Sequence, residues 1–123
     1  MIVPKAVKER RRSIRIEEKL PFKIGHGEFA VEAVTVNLSV HGALCSIEED
    51  FPLMTQLKVA LSLPDYLTGG RRSKTILLKG VVVRKEKSLQ GKHFLIAIYF
   101  SDIKPPDLRY LQKFIESRSS AGA

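Results

Sequence analysis

Along most of this chain the apolar positions fall two apart. In QLKVALSLP, Gln56 to Pro64, the residues Leu57, Val59, Leu61 and Leu63 alternate with Lys58, Ala60 and Ser62. Side chains two apart share one face of an extended backbone, so this segment is a strand with one buried and one wet face. The same pattern predicts strands in LPFKI (Leu20 to Ile24), EFAVEAVTVN (Glu28 to Asn37), GALCSI (Gly42 to Ile47) and TILLKGVVVRK (Thr75 to Lys85). HFLIAIYF, His93 to Phe100, is apolar almost throughout, which predicts a strand with little solvent on either face. Turn chemistry separates these runs: Gly25-His26-Gly27, the acidic Glu48-Glu49-Asp50, the Gly-Gly loop DYLTGGRRSK, and EKSLQGK. Gly80, inside the longest run, predicts a bulge or a bend at a barrel corner.

One segment changes period. In PPDLRYLQKFIES, residues 105–117, Leu108, Leu111 and Ile115 recur at helical spacing with Phe114 beside them, and prolines open the first turn. This predicts an amphipathic helix of about three turns, with residues 118–123 as a disordered tail. Strands joined by short turns and closed by one helix predict an all-β domain, a small antiparallel barrel; the strand–helix alternation of a Rossmann-like sheet is missing.

Composition narrows the function. The 123 residues make one domain with one core. Residues 1 to about 19 are polar and basic with no sustained period, which predicts an extended or mobile arm, residues 1–8 lying outside the domain. The net charge is +8. Much of it is early: Lys5, Lys8, Arg10, Arg11, Arg12, Arg15, Lys19 and Lys23 face only Glu9, Glu17 and Glu18. Such a balance favours an anionic partner, whether nucleotide, nucleic acid, or an acidic membrane or protein surface. No apolar run approaches the ~20 residues of a membrane span. MIVPKAVKER is too broken by Pro4, Lys5 and Lys8 for a signal-peptide core. Cys45 is the single cysteine, so neither an internal disulfide nor a cysteine zinc site is available. A cytoplasmic location is the expectation.

Catalytic constellations are absent from the pattern. His26, His41 and His93 are scattered, no HExxH occurs, and Gly69-Gly70-Arg71-Arg72 lacks the GxxxxGK[ST] of a phosphate loop. Ser39 is not in a GxSxG elbow. No enzyme activity, metal or cofactor is predicted.

Two short stretches remain. ERRRSIR, Glu9 to Arg15, concentrates arginine where lysine would serve if charge alone mattered. NLSVHG, Asn37 to Gly42, sits between two predicted strands, with Asn37 and Ser39 expected on one side of an extended backbone and Gly42 free to take φ > 0 in a tight turn. RRSIR fits RxxxR, extended by Arg10 to RRxxxR, and NLSVHG fits [DN]xSxxG; they occur in that order, about twenty residues apart. The pair resembles the signature of the PilZ domain family, over residues from about 9 to 117.

That resemblance implies a six-stranded, Greek-key antiparallel β-barrel with one C-terminal α-helix, and a receptor for the bacterial second messenger cyclic di-GMP. It implies that Arg11 and Arg15 clamp the ligand from the arm, that Asn37 and Ser39 hold it from the barrel, that Gly42 lets the backbone approach, and that Arg10 adds a contact. Adjacent arginines in the family accompany a stacked ligand pair, so one or two ligand molecules fit the pattern. The chemistry agrees. An arginine fork pairs with phosphate oxygens or with guanine O6 and N7, and stacks on a base; the Asn37 amide oxygen can accept from guanine N1–H and N2–H₂. The arm would pass from mobile to ordered on binding and signal in trans to an effector protein, the chain being a monomer or homodimer. Two other readings stand beside this one. A basic barrel could bind RNA or single-stranded DNA, although 7% aromatics and no Trp leave few stacking platforms. A PilZ domain could also serve as a protein-interaction module that binds no nucleotide.

Overall fold

The computed structural model describes residues 14–26, 29–65, 72–88 and 91–121. Six strands, β1 (Pro21–His26), β2 (Phe29–Leu38), β3 (Gly42–Ile47), β4 (Gln56–Pro64), β5 (Ser73–Lys87) and β6 (Phe94–Ile103), precede one helix, α1 (Pro105–Ala121). The strands close into a barrel in the order β1-β2-β3-β6-β5-β4, every pair antiparallel. The run β4-β1-β2-β3 within that ring has Greek-key order. The fold expected from the pattern is therefore the one observed.

Alternation places the core. Phe22 and Ile24 from β1, Leu57, Val59, Leu61 and Leu63 from β4, Ile76, Leu78 and Val82 from β5, and Ile96, Ile98 and Phe100 from β6 point into the barrel and are buried. Burying each such side chain contributes about 1.5–3 kcal/mol, so period 2 repeated over six strands dominates the stability. From α1, Leu111, Phe114 and Ile115 join the same core. Tyr110 donates to Asp65 at the end of β4, and Lys74 at the start of β5 lies over its ring. The helix thus covers its own barrel.

Three boundaries differ from the sequence expectation, each for a local reason. Residues 14–20 are not a free arm. Ile16 and Leu38 exchange backbone hydrogen bonds at 2.9 and 3.0 Å, and Ile16 and Leu20 are buried. The buried Thr35 hydroxyl accepts from Leu20 N–H at 2.8 Å and donates to Glu18 C=O at 2.6 Å. Too few residues are fixed here for a period to show. The tail expected from 118 is helical to Ala121, because the Arg118 guanidinium pairs with Glu18 at 3.0 Å and rests over the Phe114 ring. β6 is not enclosed on both faces: Tyr99 points outward and is 53% exposed between the buried Ile98 and Phe100. Gly80 does mark a bulge, since the β5–β6 register slips between Lys79 and Gly80. The expected mobile segment 1–8 lies outside the described residues.

Candidate functional site

Arg15, at the end of the arginine-rich stretch, meets the Asn-Ser-Gly stretch on the β2–β3–β6 side of the barrel. The Ile16–Leu38 bridge holds the arm against the end of β2, and that brings Arg15 to Asn37: its Nη1 donates to Asn37 Oδ1 at 2.8 Å. The register of β2 against β3 also slips, from Thr35↔Cys45 to Asn37↔Leu44. Val36 is the extra residue, and a bulge of this kind re-aims the side chain that follows it. Asn37 accordingly faces the hollow while Thr35 is turned fully inward.

Ser39 does not share a side with Asn37. The extended strand ends at Leu38, and Ser39 begins the turn, wholly buried. Its hydroxyl donates to Gly42 C=O at 3.3 Å and accepts from His41 N–H at 3.2 Å, while its N–H bonds the same Gly42 carbonyl at 2.9 Å. Ser39 shapes the loop from within. Gly42 is glycine for a different reason from the one its place in a turn suggests. Positive φ among the described glycines occurs at Gly91 and not at Gly42. A Cβ at Gly42 would lie 2.3 Å from the Ile98 carbonyl oxygen, so only glycine lets β3 approach β6 this closely. That approach seats the turn, and Phe100 N–H closes it on His41 C=O at 2.8 Å.

Around Arg15 and Asn37 lies a hollow of about 340 Å³, whose wall includes His41, Gly42, Arg84 and Tyr99. Among the described residues no carboxylate lines it, while the Arg84 guanidinium also meets Glu86 outside the lining at 3.4 Å. It therefore offers guanidinium donors, an amide, an imidazole and an exposed aromatic face, a set suited to an anionic, planar ligand. A larger depression of about 560 Å³ beside β1 and β2 carries Glu32 and Glu48 and no arginine, so size does not pick out the site. Among the described residues no group of three or more His, Cys, Asp or Glu could hold a metal ion.

Of the residues expected at the site, Arg15, Asn37, Ser39 and Gly42 are brought together, Ser39 from beneath. Arg10 and Arg11, like Arg12, lie outside the described residues. Sequence reasoning missed Arg84 and Tyr99. Tyr99 sits directly opposite Gly42 in the β3–β6 register, and β5 slips between Val82 and Arg84. The alternation of Ile96, Ile98 and Phe100 was the signal that Tyr99 points outward.

The family model for the PilZ domain matches residues 9–117. This chain belongs to the PilZ domain family, a family of cyclic di-GMP receptors and not of enzymes. Among solved structures it resembles the inhibitor of motility MotI/DgrA of Bacillus subtilis, with a TM-score of 0.80 and 19% identity over 93% of this chain and 53% of that one. It also resembles the PilZ domain of YcgR from Escherichia coli, solved with c-di-GMP, with a TM-score of 0.63 and 15% identity over 92% and 94% of the two chains. The PilZ domain of CeSA from a cellulose-synthesizing bacterium follows at 0.53 and 19%, over 87% and 99%. The chain spans about half the length of the MotI chain. A search of curated protein sequences finds no match. No helix among the described residues is long and apolar enough to cross a membrane.

Proposed function

We propose that this chain is a cyclic di-GMP receptor whose ligand lies in the hollow around Arg15 and Asn37. The observation that carries this reading is the 2.8 Å bond from Arg15 to Asn37, which joins the two motifs in a cavity that no described carboxylate lines. Arg15 places one N–H on Asn37 and keeps the others for phosphate oxygens or for guanine O6 and N7. Asn37 keeps acceptor capacity for guanine N–H groups. Tyr99 offers its ring to a base. Arg10 and Arg11 close the site from the arm, and their adjacency suits a stacked ligand pair. No cofactor takes part; cyclic di-GMP is the ligand.

The signal is the docking of the arm. Residues 14–20 are already tied to β2 by Ile16, Leu20 and Thr35, so the change on binding is confined to residues before Ile14. Neutralising Arg10 and Arg11 lays that segment on the barrel and presents a new surface to an effector protein in trans, in the cytoplasm. Amide exchange of residues 8–13 should slow with saturating ligand; unchanged exchange there would end the switch proposal and leave the binding proposal intact.

Calorimetric titration with cyclic di-GMP, with GTP and a short single-stranded DNA as controls at two salt concentrations, tests the receptor reading. Selective binding is expected, and the stoichiometry separates one ligand from a stacked pair. Absence of binding by cyclic di-GMP, confirmed by equilibrium dialysis, would refute it. Preference for DNA with a steep salt dependence would transfer the site to nucleic acid.

A further inference from the structure

The opposite wall of the barrel carries a second basic surface. Lys58 on β4 stands directly beside Lys79 on β5, and the next row of the same face runs from Lys23 on β1 through Ala60 on β4 to Leu77 on β5. Lys104, just after β6, completes the rim of a hollow of about 410 Å³. All four lysines are exposed, and among the described residues none is in an ion pair. Like charges opposite one another in a sheet are destabilising, and Lys79 meets Lys58 on one side and the carboxylate Asp102 on β6 on the other.

The floor between them is apolar. Gly25, Ala30 and Ala60 are small residues on three adjacent strands and leave a dent, while Leu77 stands in it 67% exposed. Lysine stems widen this apolar lining while their ammonium heads stay in water. The carboxylates nearby are Asp102, opposite Lys79 in the β5–β6 register, and Glu32, opposite Lys23 in the β1–β2 register. Neither reaches ion-pair distance of a described lysine.

We infer that this β1–β4–β5 face is a docking surface for an acidic protein segment bearing aliphatic side chains. Charge complementarity selects carboxylates, and the dent selects a partner that inserts apolar side chains between them. A membrane surface would call for several apolar groups that project together, and here Leu77 projects among small residues that recede. Nucleic acid would call for exposed aromatics, and none of the described residues lining the hollow is aromatic. Lysine also suits this role better than the site arginines would, because a flexible point charge follows a carboxylate without demanding a planar fork. The inference stands independently of the cyclic di-GMP reading, since none of these residues lines the hollow around Arg15.

The test is a nuclear magnetic resonance titration of the full chain with an acidic peptide, glutamates flanking a central pair of leucines. Two control peptides carry lysine for glutamate or glycine for leucine. Shifts confined to Lys23, Lys58, Ala60, Leu77 and Lys79 are expected with the acidic peptide, weaker ones with the glycine control and none with the lysine control. The double variant Lys58→Glu/Lys79→Glu should raise Kd by about tenfold or more. Leu77→Ser should raise it several-fold. Both substitutions lie on the solvent face, so an unchanged unfolding midpoint certifies the fold. No shift at millimolar peptide, or shifts centred on Arg15 and Asn37, would overturn the inference. So would a silent peptide together with binding to phosphatidylserine vesicles that the double variant abolishes, since that would make the surface a membrane contact.

Discussion

On one side of the barrel Arg15 rests its guanidinium on Asn37, with Arg84 and Tyr99 beside it; on the other, four lysines surround an apolar dent and form no ion pair among the described residues. The interiors beneath differ as well. The fully buried polar side chains, Thr35 and Ser39, and the buried Cys45 all belong to the arginine wall. Beneath the lysine wall lie Phe22, Ile24, Val59, Leu61, Ile76 and Leu78. Buried hydrogen bonds are directional, so the arginine wall holds its groups at fixed angles, as a small planar ligand requires. The lysine wall rests on non-directional packing and leaves its charges mobile. Two surfaces of one sign thus suit different partners.

The largest expected effect separates the walls by charge type. Arg15→Ala should weaken cyclic di-GMP binding by about 1.5–3 kcal/mol, roughly 10- to 100-fold in Kd by calorimetry. Lys58→Glu/Lys79→Glu removes more positive charge and should leave that Kd within about twofold, because the double substitution acts through a screened field across the barrel. Equal losses would mean that bulk charge binds the ligand and that the contrast between the walls is empty.

The next effect tests the polar anchor. Thr35→Val keeps the shape of the side chain and removes its hydroxyl, leaving Leu20 N–H and Glu18 C=O without their partner. Stability in urea should fall by about 2 kcal/mol, and ligand affinity should fall with it as Arg15 loses its support. The exposed Thr75, whose hydroxyl meets Ser62 at 3.5 Å on the other side, provides the matched control. Thr75→Val should change stability by less than about 0.5 kcal/mol.

These contrasts explain what the sequence made legible. Strand alternation in QLKVALSLP and the helical spacing of Leu111, Phe114 and Ile115 are repeated signals, and β4 begins and ends where the alternation places it. β3 likewise matches GALCSI. β5 runs to Lys87 because Lys85, Glu86 and Lys87 pair with Ile96, Leu95 and Phe94, backbone bonding that polar side chains do not announce. The motifs located Arg15, Asn37 and Gly42, but not why each matters. Gly42 answers to a strand 2.3 Å from a Cβ it lacks, and Ser39 to hydrogen bonds inside the turn. The constraint on Gly42 comes from β6, more than fifty residues away, and no local pattern carries that. The docked segment 14–20 was hidden for the same reason: its partner, Thr35, lies on β2.

Cys45 sharpens the comparison through pH. Its side chain is fully buried on β3, and burial pushes the thiol far above its ordinary value of 9.0. The folded pKa is raised, so the unfolded chain loses this proton first as pH rises. The contribution to stability is complete below about pH 9 and declines above it, by up to 1.36 kcal/mol per pH unit. Between pH 8 and pH 10 the protein should lose about 1.4 kcal/mol more than a Cys45→Ala variant does. Parallel pH profiles for the two proteins in chemical denaturation would show that the thiol is solvated. The thiol should also resist alkylation until the barrel opens, since a buried neutral thiol is no nucleophile.

The smallest effect concerns the most exposed large hydrophobic side chain on the strands of each wall, Tyr99 on one and Leu77 on the other. Both project from the outer face of the sheet and neither supports the core. A ring beside a guanidinium and an amide can stack on a base, whereas an isobutyl group can only be covered. Tyr99→Ala should therefore weaken cyclic di-GMP binding by about 1 kcal/mol, roughly fivefold, the low end for a base–aromatic stack. Tyr99→Phe should restore it, because the ring and not the hydroxyl makes the contact. Leu77→Ala should leave the ligand untouched. If Tyr99→Phe proved as weak as Tyr99→Ala, the hydroxyl would be the contact, and the arginine wall would be reading its ligand by hydrogen bonds alone.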